Sequence, residues 1–130
     1  MVELAREPNR MRACEDLAVA LNASPDHVAK VMQALSRANL VRSQRGLHGG
    51  FTLAPAPEAL TVLDVVQAVD PLRRIRSCPL GLKGHVNLCP LHRRMDQALA
   101  LVEKALREST IAELLAEPDA RKGIPIPLCS

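Results

Sequence analysis

Four side chains in the middle of the chain, Cys78, His85, Cys89 and His92, are of the types that hold metals. They lie in the run Cys78-Pro-Leu-Gly-Leu-Lys-Gly-His85-Val-Asn-Leu-Cys89-Pro-Leu-His92, with one imidazole between the thiols and another three positions beyond the second. Two thiolates and two imidazoles suit a tetrahedral zinc site, an iron site or a small iron–sulfur cluster. Cys89 and His92 stand at i and i+3, so a helix starting there carries both on one face. Between Pro71 and Met95 there are six basic residues (Arg73, Arg74, Arg76, Lys83, Arg93, Arg94) and no acid. That envelope would offset thiolate and cluster charge, and it favours a ligand set over the competing reading of two half-buried cysteines and two surface histidines. Each Cys-Pro dipeptide also fits a thiolate haem signal, a match too short to use. Pairing Cys78 or Cys89 with His85 as nucleophile and base lacks an orienting carboxylate and an oxyanion pocket, so the chain is not expected to be an enzyme. Cys14, with Leu17 and Leu21 three and seven positions on, reads as a small core residue, and Cys129 as an incidental thiol.

A second group of residues carries charge. Residues 26–50 hold Lys30, Arg37, Arg42 and Arg45 against Asp26 alone, within a chain of net charge +3. Such local excess points to a polyanion, against the plainer account of a solvated face. Composition narrows the polyanion. The 130 residues contain one aromatic, Phe51. Stacking platforms for single-stranded nucleic acid need ring faces, so this class and the RNA-recognition sheet are excluded. The length also excludes a large α/β barrel or a doubly wound enzyme. The apolar residues are mostly Ala, Leu and Val, which suit an aliphatic helical core.

These residues must be positioned by a small set of elements. Residues 14–22 place Leu17, Ala18 and Leu21 on one helical face. Asn22-Ala23 is a short break, and Ser24-Pro25 reads as an N-cap followed by proline at the first helical position. The helix that follows buries Val28, Val31, Met32 and Leu35 and leaves Asp26, His27, Lys30, Gln33 and Arg37 outward, the pattern of a helix-turn-helix. Next comes Arg42-Ser43-Gln44-Arg45-Gly46-Leu47-His48-Gly49-Gly50-Phe51-Thr52-Leu53, two extended runs flanking a glycine-rich turn, which predicts a β-hairpin. A helix-turn-helix followed by a basic hairpin is the chain order of a winged helix, with glycines that let backbone and Arg approach phosphate. Phe51 would pin the hairpin to the core.

Thr61-Val-Leu-Asp64 is a capping box opening a helix over Val62–Val69, with Leu63, Val66 and Val69 as its apolar stripe. A long helix from near Pro90 to Arg107 carries Leu91, Met95, Leu99, Val102 and Leu106, spaced as a two-helix packing seam. Thr110-Ile-Ala-Glu113 is a second capping box, starting a helix over Ile111–Ala116. No segment is apolar enough to span a bilayer, and the N-terminus lacks signal-peptide character, so a cytoplasmic location without membrane association is expected.

The runs Ser24–Val41, Arg45-Gly-Leu-His-Gly-Gly-Phe-Thr-Leu53 and Leu63-Asp-Val-Val-Gln-Ala-Val69 together resemble the Rrf family of bacterial winged-helix regulators, from about Leu17 to Leu115. The Arg-Gly-x-x-Gly-Gly wing is the most specific part. The resemblance implies a dimeric DNA-binding regulator, most often a repressor, that senses iron, nitric oxide, redox state or iron–sulfur supply. In members of this kind a cluster is held between a sensor loop and the dimerisation helix by three loop cysteines and a histidine. Cys78 matches the first cysteine, Cys89 the last, and His92 the histidine. The middle cysteine is absent and His85 stands near its place, in a loop one residue shorter. A Cys–His–Cys–His set is therefore the form a cluster, such as 2Fe-2S, would take here. The family also begins with a full helix, of which Val2–Arg6 is the remainder. This predicts uncovered apolar surface and lowered stability, in a truncated form or a chain whose start lies upstream.

The expected organisation is a mainly α fold with a small β-hairpin wing. Residues 1–70 form the winged helix-turn-helix with an incomplete first helix, 71–89 the sensor loop, 90–116 the dimerisation helix and a short following helix, and 117–130 a loose tail. His27, Lys30 and Gln33 would meet base edges of double-stranded DNA; Arg37, Arg42, Ser43, Arg45, Gly46, His48, Gly49 and Gly50 would hold phosphates or enter the minor groove. A homodimer on a pseudo-palindromic operator follows. Two alternatives stay open: DNA binding with a thiol redox pair or zinc at Cys78 and Cys89 in place of a cluster, and a winged-helix module that binds protein.

Overall fold

The computed structural model describes residues 1–81 and 87–117 of the chain. Two asparagines in the left-handed region shape the first half. Asn22, at φ 51°, ends helix α2 (Cys14–Leu21), and the Ala23 N–H closes onto the Ala18 carbonyl at 2.9 Å. Asn39, at φ 58°, ends helix α3 (Pro25–Arg37) in the same way, with the Leu40 N–H on the Leu35 carbonyl at 3.0 Å. Both are Schellman-type closures, where asparagine tolerates a conformation that costs most side chains energy. Between them Ser24 caps α3, its hydroxyl accepting the His27 N–H at 3.3 Å, with Pro25 at the first helical position. The helix-turn-helix is thus set by two stop signals and one start signal.

The wing follows as β1 (Val41–Gln44) and β2 (Gly50–Leu53), antiparallel, with Val41 opposite Leu53 and Gln44 opposite Gly50. A third segment joins it: Arg12 and Phe51 exchange backbone hydrogen bonds of 3.0 and 2.9 Å. The chain between α1 (Val2–Arg6) and α2 is therefore stitched to the wing, and Phe51 packs half-buried against the core. Helix α4 (Val62–Val69) carries the expected capping box, with Thr61 Oγ1 accepting the Asp64 N–H at 3.1 Å and Asp64 accepting the Thr61 N–H at 3.0 Å. Its inward side differs from the expected stripe. Leu63 is buried, but Val62, Val65 and Ala68 pack on the core while Val69 is exposed, because the helix is rotated to meet both the core and the next helix.

Helices α5 (Pro90–Glu108) and α6 (Ile111–Ala116) have different allegiances. Thr110 caps α6 in a capping box with Glu113, and the Thr61–Thr110 bridge ties its start to that of α4. Ile111 then joins the cluster formed by Leu4, Leu17, Ala18, Val28, Met32, Leu35, Val41, Leu53 and Leu60. Residues 111–116 belong by packing to the winged unit, not to the long helix with which the sequence groups them. Leu4 and Ala5 of α1 are buried in the same cluster, and α1 packs on α6. Between α1, α2 and α3 an apolar groove of about 250 Å³, lined by Met1, Leu4, Leu17, Leu21 and Val31 among others, remains open.

Helix α5 buries none of its 19 residues. Its half-buried positions are His92, Asp96, Leu99, Ala100, Glu103 and Leu106, on the side that meets α4 and the segment before Cys78. The expected seam therefore divides. Leu99 and Leu106 turn inward, while Leu91, Met95 and Val102 stay 64, 47 and 46% exposed. With Ala98 and Ala105, also exposed, they form a stripe at alternating spacings of four and three. No helix among the described residues is long and apolar enough to cross a membrane. His85, Cys129 and the tail beyond residue 117 lie outside the described residues.

Candidate nucleic-acid interface and thiol–imidazole site

The basic surface is built on α3 and the wing. At about 100° per residue, Lys30, Gln33 and Arg37 fall within one sector of α3, opposite Val28, Met32 and Leu35. His27 lies about 60° from Lys30 toward the core side, and it lines the groove beside α1 as well as being exposed. Three of the four α3 candidates thus share a face, and the fourth stands at its edge. Between Asp26 and Glu58 the chain has no acid. Among the described residues Lys30, Arg37, Arg42 and Arg45 make no ion pair, whereas Arg10, Arg12, Arg74 and Arg107 each sit on a carboxylate. Positive charge is left unneutralised on the face that a winged helix presents to DNA, which is what counterion release requires.

The wing tip is a turn, with the Gly49 N–H on the Gly46 carbonyl at 3.0 Å, so Leu47 and His48 form its apex. Two of its glycines answer to the hairpin itself. A Cβ on Gly49 would overlap the Gln44 carbonyl, and one on Gly50 would come within 2.7 Å of the Arg12 carbonyl oxygen. Their role in close approach is therefore first to strand and N-terminal segment; only Gly46, at φ 114° with open space around it, faces outward. Ser43 and Arg42 are exposed and share a concave flank of about 720 Å³ with Pro8, Asn9, Met11 and Thr52. The placement of residues 8–12 along the wing is not signalled in the sequence, because it rests on backbone hydrogen bonds that need no particular side chain.

The second site starts at the first turn of α5. Cys89 is its N-cap residue with Pro90 following, and Cys89 Sγ lies 3.2 Å from His92 Nδ1. The i, i+3 spacing does what the sequence promised. Two donors across a tetrahedral zinc are about 3.5 Å apart, given metal–sulfur and metal–nitrogen bonds of about 2.3 and 2.0 Å. A small side-chain rotation would convert the contact into a bite, so these two residues fit a metal or cluster as half of its ligand set. Cys78 is half-buried, and among the described residues no group of three or more His, Cys, Asp or Glu is gathered as a metal site.

Below this pair lies an unforeseen arrangement. Asp96 accepts both Arg74 Nε and Arg74 Nη2 at 2.7 Å and the Ile75 N–H at 2.9 Å. Glu103, two turns further along α5, lies 3.6 Å from Arg74 Nη1. The hydrogen bonds from Arg74, aided by the Ile75 N–H, hold the Asp96 carboxyl below the usual range. One of the six bases expected around the thiols is thus neutralised. Elsewhere, burial and then Glu15 push the Cys14 thiol up, consistent with a half-buried packing residue.

Comparison with known proteins places this geometry. Residues 1–117 match the Rrf2 family, described as iron-dependent transcriptional regulators. The HTH-type transcriptional regulator BadM of Rhodopseudomonas palustris is 41% identical over 122 residues, covering 94% of this chain and 78% of BadM. Among solved structures, CymR, the global cysteine regulator of B. subtilis, superposes with a TM-score of 0.73 at 23% identity, covering 91% of this chain and 88% of CymR. The IscR of T. potens does so at 0.74 and 20%, covering 95% and 82%. These last two likenesses establish the winged-helix fold. The unpaired basic face, the wing and the family match agree: this chain belongs to the Rrf2 family of DNA-binding transcriptional regulators, not to the enzymes.

Proposed function

We propose that the protein is a cytoplasmic, dimeric repressor whose hold on DNA responds to a ligand set on Cys78, Cys89 and His92, with His85 as the fourth candidate. The observation that carries this reading is the 3.2 Å contact between Cys89 and His92 at the start of α5, a helix that leaves an apolar stripe exposed. Two of the ligand residues, Cys89 and His92, then share a single rigid element with the dimer seam, so a change at the first turn alters how two copies meet. Leu91, Met95, Ala98, Val102 and Ala105 form the seam, the two alanines allowing close approach.

Lys30 and Gln33 meet base edges in the major groove, with His27 at the rim, while Arg37, Arg42, Ser43, Arg45, His48 and the Gly46–Gly50 turn hold backbone phosphates or the minor groove. Two such units related by a two-fold axis require half-sites about one helical turn apart. An iron–sulfur cluster on the thiol–imidazole set, 2Fe-2S in form, would supply the sensitivity to iron, oxygen or nitric oxide. Cys89 and His92 would hold one side of it and Cys78 the other.

A second reading, zinc or a thiol redox pair, is favoured by the same donors, since a Cys–His bite suits zinc equally. Purification without oxygen, with iron, sulfide and zinc analysis and a DNA-binding titration before and after air exposure, separates them. The cluster reading expects visible absorbance, iron and acid-labile sulfide, and a changed operator affinity in air. Colourless protein holding stoichiometric zinc transfers the function to the second reading.

A further inference from the structure

Arg74 and Asp96 are 22 residues apart in sequence yet form a two-pronged ion pair, and the same carboxylate takes the Ile75 N–H. Exposed ion pairs usually contribute little, but bidentate geometry within a network is the exception. Here the network includes Glu103, which also pairs with Arg107. A backbone amide held by a helix carboxylate fixes chain position, not only charge. Ile75 is locked to α5 at Asp96, one helical turn after His92 and two turns after Cys89.

The reach then follows from chain dimensions. From Asp96 back to Cys89 is seven residues, about 10 Å along a helix axis. From Ile75 to Cys78 is three residues, a span of at most about 10 Å when extended. Cys78 and Cys89 thus each lie within about 10 Å of one half of the clasp, and the chain rejoins α5 at Pro90. We infer that Arg74 and Asp96 are positioning residues of the thiol–imidazole set, their clasp laying residues 75–78 along α5 so that Cys78 comes level with Cys89 and His92. The clasp also joins α4 to α5 through the four residues between Val69 and Arg74, so the thiols are held in register with the winged unit. This inference rests on the proposed ligand set for its purpose but not for its geometry.

The test uses the full chain, reduced, in wild-type and Arg74→Ala forms. Diamide takes two protons and two electrons from a pair of thiols, leaving a disulfide and the reduced hydrazine, and peptide mapping follows the Cys78–Cys89 product. The clasp sets the effective concentration of one thiol at the other. Arg74→Ala is expected to slow that product about tenfold, Arg74→Lys to fall between, and iodoacetamide labelling of Cys89 to stay unchanged. Equal rates in wild type and Arg74→Ala, or no Cys78–Cys89 product in the wild type, overturn the inference. A role confined to stability would lower the melting temperature and leave the rate, measured far below it, untouched. Cobalt(II) titration separates the two claims. Cobalt bound equally by both forms defeats the positioning and spares the ligand set; no cobalt uptake, with the tenfold rate difference kept, does the reverse.

Discussion

The winged unit and the α5 arm solve opposite problems. In the winged unit, α1, α2, α3, the hairpin, α4 and α6 close one aliphatic cluster, and the surface is left with unpaired cations on α3 and the wing. In the arm, no residue of α5 is buried, the apolar stripe is outside, and Arg74 and Arg107 are neutralised by Asp96 and Glu103. The first region closes its core within one chain, apart from the groove beside α1, and offers charge; the second has no core of its own and offers apolar surface. Under the proposed function each exposes what its partner must supply, anionic phosphate in one case and a second apolar helix in the other.

The contrast can be broken most forcefully in the core. Leu35 is 2% exposed and Leu101, on the arm, 70%. Leu35→Ala should cost about 3 kcal/mol by transfer and cavity terms, while Leu101→Ala should stay within about 0.5 kcal/mol. Urea unfolding of the two variants reads the difference; equal midpoints would mean that the two regions are not distinct in packing. Met95→Glu comes next. It places charge in the outward stripe and should give monomers at micromolar concentration by sedimentation, with helicity kept, whereas the same change at Arg94 should leave the dimer intact.

A smaller effect is expected on the charged side. Arg45→Ala should weaken binding to every DNA sequence alike and lower the slope of log affinity against log salt by about 1. An unchanged slope removes Arg45 from the phosphate contacts. The smallest effect concerns the clasp. Because Asp96 is held below its usual range by Arg74, its contribution is present above the unfolded carboxylate pKa of about 4 and is lost only as pH falls through the lower folded value. Amide exchange at Ile75 should therefore be unchanged between pH 7 and 5 once corrected for intrinsic rate, and Asp96→Asn should raise it at both.

Much of this was legible in the residues. Ser24-Pro25 and the two Thr-x-x-acid boxes locate three helix starts because capping chemistry is local. The wing was legible in its glycines, and the Cys89–His92 contact in its spacing. What stayed hidden has a common cause. The Arg12–Phe51 bridge uses backbone groups that all residues share. The clasp joins positions 22 apart, and nothing local tells Arg74 from its basic neighbours. The seam was ambiguous because Leu99 and Leu106 lie beside Ala98 and Ala105, so two overlapping stripes fit one helix.

By itself the sequence determined the order of elements, their capped starts, the cation excess between Asp26 and Glu58, and the i, i+3 placement of Cys89 and His92. All of these depend on neighbours within a turn or two. Only the tertiary structure decided which stripe of α5 faces outward, that α6 returns to the winged core, and that Asp96 fixes the segment carrying Cys78. Those outcomes turn on long-range packing, where several local solutions are equally good and the one that buries the most apolar surface while pairing its charges prevails.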